Sequence, residues 1–122
     1  MAEAGPIVGA GPEYGKIVAI HANKGSVTDV ASAAPLLVDV ERGRGQTLFG
    51  LAQGVHTNTV AGTPADPATG ELVRVDGSGF DTVATALDRP TSLEIIGNDA
   101  YVVTLTGQIW RIDGIAVPPY AR

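Results

Sequence analysis

The stretch GELVRVDGSGFDTVATAL, residues 70–87, decides the fold. Apolar and polar residues alternate through it with a period of two, which is the pattern of half-buried β-strands. The Gly-Ser-Gly segment at 77–79 divides it into ELVRVD (71–76) and FDTVATAL (80–87), and glycines between two such runs favour a tight turn. The stretch therefore predicts two antiparallel strands joined by a turn.

Two more stretches resemble its opening: GKIVAI at 15–20 and GQIWRID at 107–113. Between them, alternating segments separated by turns rich in Gly, Asn and Asp predict further strands. A helix over 26–41 is the alternative interpretation, but Pro35 would lie in its middle at a cost of about 3 kcal/mol. The nine predicted strands cover residues 17–21, 26–32, 35–40, 47–52, 71–76, 80–87, 91–96, 100–105 and 108–113.

The predicted strands follow one another as an internal repeat. Four consecutive segments recur farther along the chain at a nearly constant offset of 53–55 residues. Repeats of about this length that each contain four strands are typical of β-propeller blades. The matched pairs are 15–20 with 70–75, 28–35 with 81–90, 35–40 with 90–95, and 47–51 with 100–104.

The strands of a propeller blade are named A to D from the axis outward. On this scheme the three similar stretches are the C strands of three successive blades. Residues 15–113 then contain a C–D pair, one complete A–B–C–D blade and an A–B–C set. We expect an all-β fold of four-stranded antiparallel meanders, with about two blades per chain. Residues 1–14, rich in Gly and Pro, are interpreted as a flexible tail, and residues 114–122 as a C-terminal tail.

The repeat also resembles a known family. GELVRVDGSGFDTVATALDRPTSLEIIGNDAYVVTLTGQIWRID (70–113) is similar to the C-terminal part of the ScyD/ScyE-like β-propeller family. The similarity extends over residues 47–113, and DRPTSLEIIGNDAYVVTLTG (88–107) is its most specific part, whereas residues 15–46 match only as a generic blade. The resemblance implies a propeller of the six-bladed type, in longer and often exported chains. It implies no catalytic residues.

Charge and composition exclude several classes of partner. The net charge is −5 and the eight Lys and Arg residues are scattered, whereas nucleic acids and anionic membranes require clustered basic residues. The chain has no Cys, which excludes disulfides, thiolate nucleophiles and Cys metal sites. No apolar run approaches the roughly 18 residues of a membrane span, and the start lacks the features of a secretory signal. We expect a soluble protein and assign no compartment.

A long loop is the main candidate for function. On the blade assignment, residues 53–70 connect strands B and C of the complete blade, whereas the equivalent connection in the last blade is only Thr-Gly at 106–107. B–C and D–A connections open on the same propeller face, and loops carry function more often than scaffold does. The alternatives are an inert insertion or a cap for the long loop and, for the D–A connection, a structural ion pair. The ligand-face candidates are His56, Asn58, Asp66, Asp88 and Arg89.

No motif assigns catalysis, a metal or a cofactor. GAGPEYGK (9–16) invites comparison with a phosphate-binding loop, but Ala10 and Ile17 stand where Gly and Ser or Thr are required. The two histidines, His21 and His56, lack the tight spacing of metal ligands. We therefore assign no catalytic residue, no metal ligand and no cofactor.

The favoured function is a non-enzymatic β-propeller module for binding or assembly. One alternative is a hydrolase or lactonase-type propeller with an axial metal, for which the inner strands offer Asp39 and Glu94. Another is a fragment of a longer propeller, with the remaining blades as its partner. Two blades and a surplus strand cannot close a ring, which needs at least about four blades. We expect a closed homo-oligomer, with a trimer of six blades favoured and the first C strand displaced or disordered.

Overall fold

The computed structural model describes residues 1–3, 14–58, 60 and 62–115. Within them the chain forms ten β-strands, one 3₁₀ turn at Arg44–Gln46 and no α-helix, so the all-β prediction is confirmed. No helix in this part of the chain is long and apolar enough to cross a membrane. Residues 4–13 and 116–122 of the two predicted tails lie outside the described residues. The strands are β1 (Ala2–Glu3), β2 (Tyr14–His21), β3 (Ser26–Pro35), β4 (Leu37–Arg42), β5 (Leu48–Ala52), β6 (Gly70–Asp76), β7 (Gly79–Leu87), β8 (Pro90–Ile96), β9 (Asp99–Thr104) and β10 (Ile109–Ile112).

The strands form three antiparallel sheets. The N-terminal sheet has the order β1-β2-β3, the central sheet β4-β5-β6-β7 and the C-terminal sheet β8-β9-β10. Every strand pairs with its neighbour in sequence, so each sheet is a meander. β3 and β4 occupy the segment for which a helix was the alternative, and that alternative is wrong. A helix is disfavoured here by Pro35, which ends β3 and cannot donate a helical hydrogen bond.

The last strands of the first two sheets share an irregular backbone. The register shifts twice where β2 pairs with β3, and twice where β6 pairs with β7. Positive φ angles occur at Ala33 (86°) and Leu36 (48°) and again at Ala86 (59°) and Arg89 (47°). Within each pair the residues are three apart, and from the first pair to the second the chain advances by 53 residues. The backbone at the end of the N-terminal sheet and at the end of the central sheet therefore has the same pattern of register shifts and positive φ angles.

The central sheet is buried on both faces. Side chains alternate along its inner strands, so Leu51 and Leu72 face the C-terminal sheet, whereas Ala52 and Val73 face the N-terminal sheet. Burial on both faces explains why these strands read as near-continuous apolar runs. The cluster toward the C-terminal sheet contains Phe49, Leu51, Leu72, Leu87, Leu93, Ala100, Val102 and Ile115, and the cluster toward the N-terminal sheet contains Ile17, Ala34, Leu37, Ala52 and Val73.

A carboxylate connects the first strands of the central and C-terminal sheets. Asp39 of β4 accepts a hydrogen bond on Oδ2 from the backbone N–H of Leu93 in β8, at 2.8 Å. Its other oxygen, Oδ1, accepts from the N–H of Val40, also at 2.8 Å. Both carboxylate oxygens are thus engaged by backbone donors. This contact holds the first strands of two neighbouring sheets side by side.

Candidate functional site

The described residues between β5 and β6 form no strand, but hydrogen bonds hold them in place. The N–H of Asp66 donates to the carbonyl of Val55 at 2.7 Å. The hydroxyl of Thr69 accepts from the N–H of Val55 at 3.0 Å and donates to the carbonyl of Asp66 at 2.8 Å. These bonds close the two ends of the segment against each other. Residues 53–69 are called the cleft loop below.

Two candidates from the sequence, Asp88 and Arg89, lie at the base of the cleft loop. The guanidinium of Arg89 donates to the carboxylate of Asp88 from Nε at 2.7 Å and from Nη2 at 3.2 Å. That hydrogen bond, helped by the N–H of Ala68 from the loop, lowers the pKa of Asp88 below its ordinary value, against a smaller opposing effect of burial. The carbonyl of Arg89 accepts from the N–H of Leu105 at 2.9 Å. The pair therefore connects the cleft loop to the turn after β9.

His56 is fixed within the cleft loop by Thr63. Its Nε2 lies 2.9 Å from the carbonyl oxygen of Thr63 and 2.8 Å from its hydroxyl. A carbonyl oxygen can only accept, so Nε2 carries the proton. The Thr63 hydroxyl in turn donates to the carbonyl of Val60 at 2.7 Å. Within the described residues, the other ring nitrogen of His56, Nδ1, has no hydrogen-bond partner.

The other two loop candidates support the shape of the loop. Asn58 accepts from the N–H of Val60 on Oδ1 at 2.9 Å, which is an Asx-type turn. Asp66 accepts from the hydroxyl of Thr57 on Oδ2 at 2.7 Å. Both side chains are thus engaged in local hydrogen bonds. His56 also lines an open cleft.

That cleft has a volume of about 460 Å³ and is formed by three separate parts of the chain. Leu36 of the connection from β3 to β4, Val38 of β4 and Leu105 of the turn after β9 supply apolar walls, and the cleft loop supplies the rest. None of the lining residues is Asp, Glu, Lys or Arg. The lining consists of Leu36, Val38, Gln53, His56, Gly62, Thr63, Pro64 and Leu105.

The apolar lining could not be found from the sequence. Leu36, Val38 and Leu105 read as ordinary residues at strand ends, and nothing in their spacing marks them as neighbours. The one available signal was that the connection from β5 to β6 is much longer than the connection from β9 to β10, and it points to the loop rather than to its walls. In the structure Val38 is 36 % exposed and Leu105 is 52 % exposed, so both offer apolar surface to solvent.

Acidic side chains on β4 and β8 form a second feature. Burial raises the pKa of Glu41 above its ordinary value, and the nearby carboxylates of Glu94 and Asp39 raise it further. Within the described residues, no group of three or more His, Cys, Asp and Glu side chains is placed to hold a metal ion. Asp39, moreover, already accepts two backbone hydrogen bonds.

Comparison with protein-family models, with curated proteins and with solved structures finds no match.

Proposed function

We propose that the chain is a non-enzymatic β-propeller module that binds further blades and completes a ring by homo-oligomerisation. On this proposal the central sheet is a complete A–B–C–D blade. The C-terminal sheet supplies strands A to C of a second blade, and the N-terminal sheet supplies the outer strands of a third. The sequence resemblance to the ScyD/ScyE-like β-propeller family leads to the same proposal.

Repeated backbone irregularities support the proposal that the sheets are copies of one unit. The first strand of the central sheet has a register shift between Leu37 and Asp39. The first strand of the C-terminal sheet has one between Pro90 and Ser92. From one shift to the other the chain again advances by 53 residues. This spacing equates Leu37 with Pro90, whereas a sequence alignment that matches Pro35 with Pro90 is two residues out of step.

The observation that carries the proposal is the uncovered side of the C-terminal sheet. Ala100 and Val102 of β9 face the core, so Tyr101 and Val103 face the other way. Register places Ile109 beside Val103 on that outer side, where it is 71 % exposed. Among the described residues no strand pairs with the free edge of β10. The same side also carries Glu94 and Arg111, which register places beside Tyr101. A partly apolar sheet face beside an open edge is a site for further β-structure.

A second copy of the chain fits this surface because sheets already pack face to face within one chain, where the central sheet contacts a sheet on each side. A trimer gives six blades if β2 leaves β3 and each N-terminal β3 completes a C-terminal sheet. In the structure β2 pairs with β3 along Tyr14–His21. If that pairing is kept, each chain contributes three sheets and a dimer makes the six-sheet ring. Both assemblies bury the outer side of the C-terminal sheet.

Light scattering after gel filtration tests the proposal. The expected mass is that of two or more chains, each of 12.4 kDa. Ile109→Asp places a charge on the outer side of β10 and should shift the mass toward the monomer. Val60→Asp is the matched control, because Val60 is 61 % exposed and lies in the cleft loop, so its mass should stay that of the wild type. A folded wild-type monomer at high concentration would overturn self-assembly and favour the remaining blades of a longer propeller as the partner.

The alternative function, a propeller hydrolase with an axial metal, depends on Asp39 and Glu94. Glu94 and Asp39 lie close enough to Glu41 to raise its pKa in addition to the larger effect of burial, so these three carboxylates are neighbours. Metal analysis of the purified protein distinguishes the two functions. A stoichiometric divalent ion that is lost in Asp39→Ala would favour the enzyme over the binding module.

A further inference from the structure

We propose that the cleft beside His56 is a binding site for a small, neutral and mainly apolar molecule that carries a hydroxyl group. This site is separate from the outer side of the C-terminal sheet, and it does not depend on ring assembly. The size of the cleft, the chemistry of its lining and the hydrogen bonds that shape its loop support this site.

The size and walls of the cleft fit a small molecule. Its volume of about 460 Å³ lies within the range of roughly 300–1,000 Å³ that is usual for such sites. Leu36, Val38, Pro64 and Leu105 provide apolar walls. Val38 and Leu105 are substantially exposed, so a ligand in the cleft would remove their apolar surface from water. Burial of that surface is the driving force for binding.

The cleft loop is ordered by its own hydrogen bonds before any ligand arrives. Thr69 closes the loop at its ends, and Thr63 holds the His56 ring at 2.8 Å. The N–H of Gln53 donates to the carbonyl of Leu36 at 2.8 Å, which joins two of the three walls. A loop held in this way loses little conformational freedom on binding. Binding therefore requires little additional ordering of the site.

The polar groups of the lining select the chemistry of the ligand. In its uncharged form the His56 ring offers Nδ1 as an acceptor, because Nε2 donates its proton to the carbonyl of Thr63. The side-chain amide of Gln53 offers N–H donors, since its Oε1 faces the N–H of Ala65 at 3.5 Å. A hydroxyl group both donates and accepts, so it can satisfy the two. A carboxylate or ammonium would lose its hydration without finding an opposite charge in the lining.

Cyclohexanol is a suitable probe because it is small, neutral, largely apolar and carries one hydroxyl. Titration into ¹⁵N-labelled protein should give saturable chemical-shift changes at the amides of Gln53, Thr63 and Leu105. Cyclohexanecarboxylate and cyclohexylamine have the same ring and opposite charges at pH 7. Both should bind at least about tenfold more weakly, because the cleft cannot replace their hydration.

Variants separate this site from nonspecific contacts. Leu105→Asp, at an exposed position of the wall, should abolish saturable binding of cyclohexanol. Gln53→Leu keeps the bulk and removes the amide, so the affinity for cyclohexanol should fall by about three- to tenfold. Val27→Asp is the matched control, since Val27 is 58 % exposed on the N-terminal sheet, and it should bind as the wild type does. Shifts that do not saturate, shifts centred outside the cleft, or wild-type affinity in Leu105→Asp would each overturn the proposal. Because Ile109→Asp should bind cyclohexanol normally, the outcome is independent of assembly.

Discussion

At the scale of single residues, Asp39 shows how one side chain can join two sheets. It accepts a hydrogen bond from the N–H of Leu93, which lies 54 residues farther along the chain. The side chain of Leu93 is buried. In Asp39→Ala both this N–H and that of Val40 lose their acceptor. An unpaired donor at a partly buried site costs about 1–3 kcal/mol. We expect urea unfolding to show a loss of that size in the free energy of unfolding.

Asp76→Ala is the control for Asp39→Ala, because Asp76 is an exposed carboxylate at the end of β6. Its effect should stay within about 0.5 kcal/mol, as is usual for exposed surface positions. Equal losses in the two variants would show that the bond to Leu93 contributes nothing beyond an ordinary surface charge.

Glu41 makes stability depend on pH in the opposite direction from a salt-bridged acid. Its pKa is raised in the folded protein by burial and then by Glu94 and Asp39. The folded state therefore holds a proton that the unfolded state releases, and stability falls as the pH rises from the ordinary value of 4.5 through the raised value. Glu41→Gln removes this cost. We expect a gain of less than about 1 kcal/mol at pH 7, since the site is only partly buried.

The test of Glu41 is a comparison of melting temperatures at pH 7 and pH 4. The advantage of Glu41→Gln over the wild type should be clear at pH 7 and should shrink at pH 4, where the wild-type carboxyl is protonated. A difference that is the same at both pH values would indicate lost packing or hydrogen bonding instead of charge.

At the scale of the elements, the start of β6 fits tightly under the connection that leads to β8. A Cβ at Gly70 would lie 2.8 Å from the carbonyl oxygen of Leu87 and against the ring of Pro90. The carbonyl belongs to the backbone, so the clash can be relieved only by moving β7. Gly70→Ala should therefore lower the free energy of unfolding by about 1–3 kcal/mol. Thermal or urea unfolding measures this loss.

Gly79→Ala is matched to Gly70→Ala. Gly79 begins the strand that pairs with β6, and a Cβ there would meet nothing within 4 Å. Its substitution should change stability by no more than about 0.5 kcal/mol. If both alanines cost the same, the close contact with Leu87 that is specific to Gly70 could not explain the loss.

Much of this element structure could be predicted because alternation is a local signal. β5, β6 and β7 begin and end within a residue of their predicted limits. β3 was predicted too short, since its register shifts allow pairing to continue to Pro35 past the point where strict alternation stops. β1 was missed because two residues, Ala2–Glu3, are too few to show a period.

At the scale of the whole molecule, the candidate site was only half predictable. Loop length identified the segment with His56, because an extra stretch of polar and small residues interrupts the strand pattern. The walls were not predictable, since Leu36, Gln53 and Leu105 meet only after two sheets and a loop have packed together. Such proximity depends on three-dimensional packing and leaves no trace in local spacing.

Trp110 provides an optical test of assembly. It is the single Trp of the chain, it lies in the edge strand β10, and it is 47 % exposed. Docking of a second copy along this edge would shield the indole from water. We expect its fluorescence emission to move to shorter wavelength as the protein concentration is raised. Ile109→Asp should keep the long-wavelength emission at every concentration, and an invariant wild-type spectrum would argue against this edge as the interface.

The meander order of the sheets has a consequence for the route by which the chain becomes structured. Because each strand pairs with its neighbour in sequence, the N-terminal sheet and then the central sheet can form in the order of synthesis, without waiting for distant partners. The face of the central sheet that carries Leu51 and Leu72 stays uncovered until β8 and β9 bring Leu93 and Val102. During that interval the nascent chain exposes an apolar, aggregation-prone surface, and capture by a chaperone at this stage would protect it from aggregation.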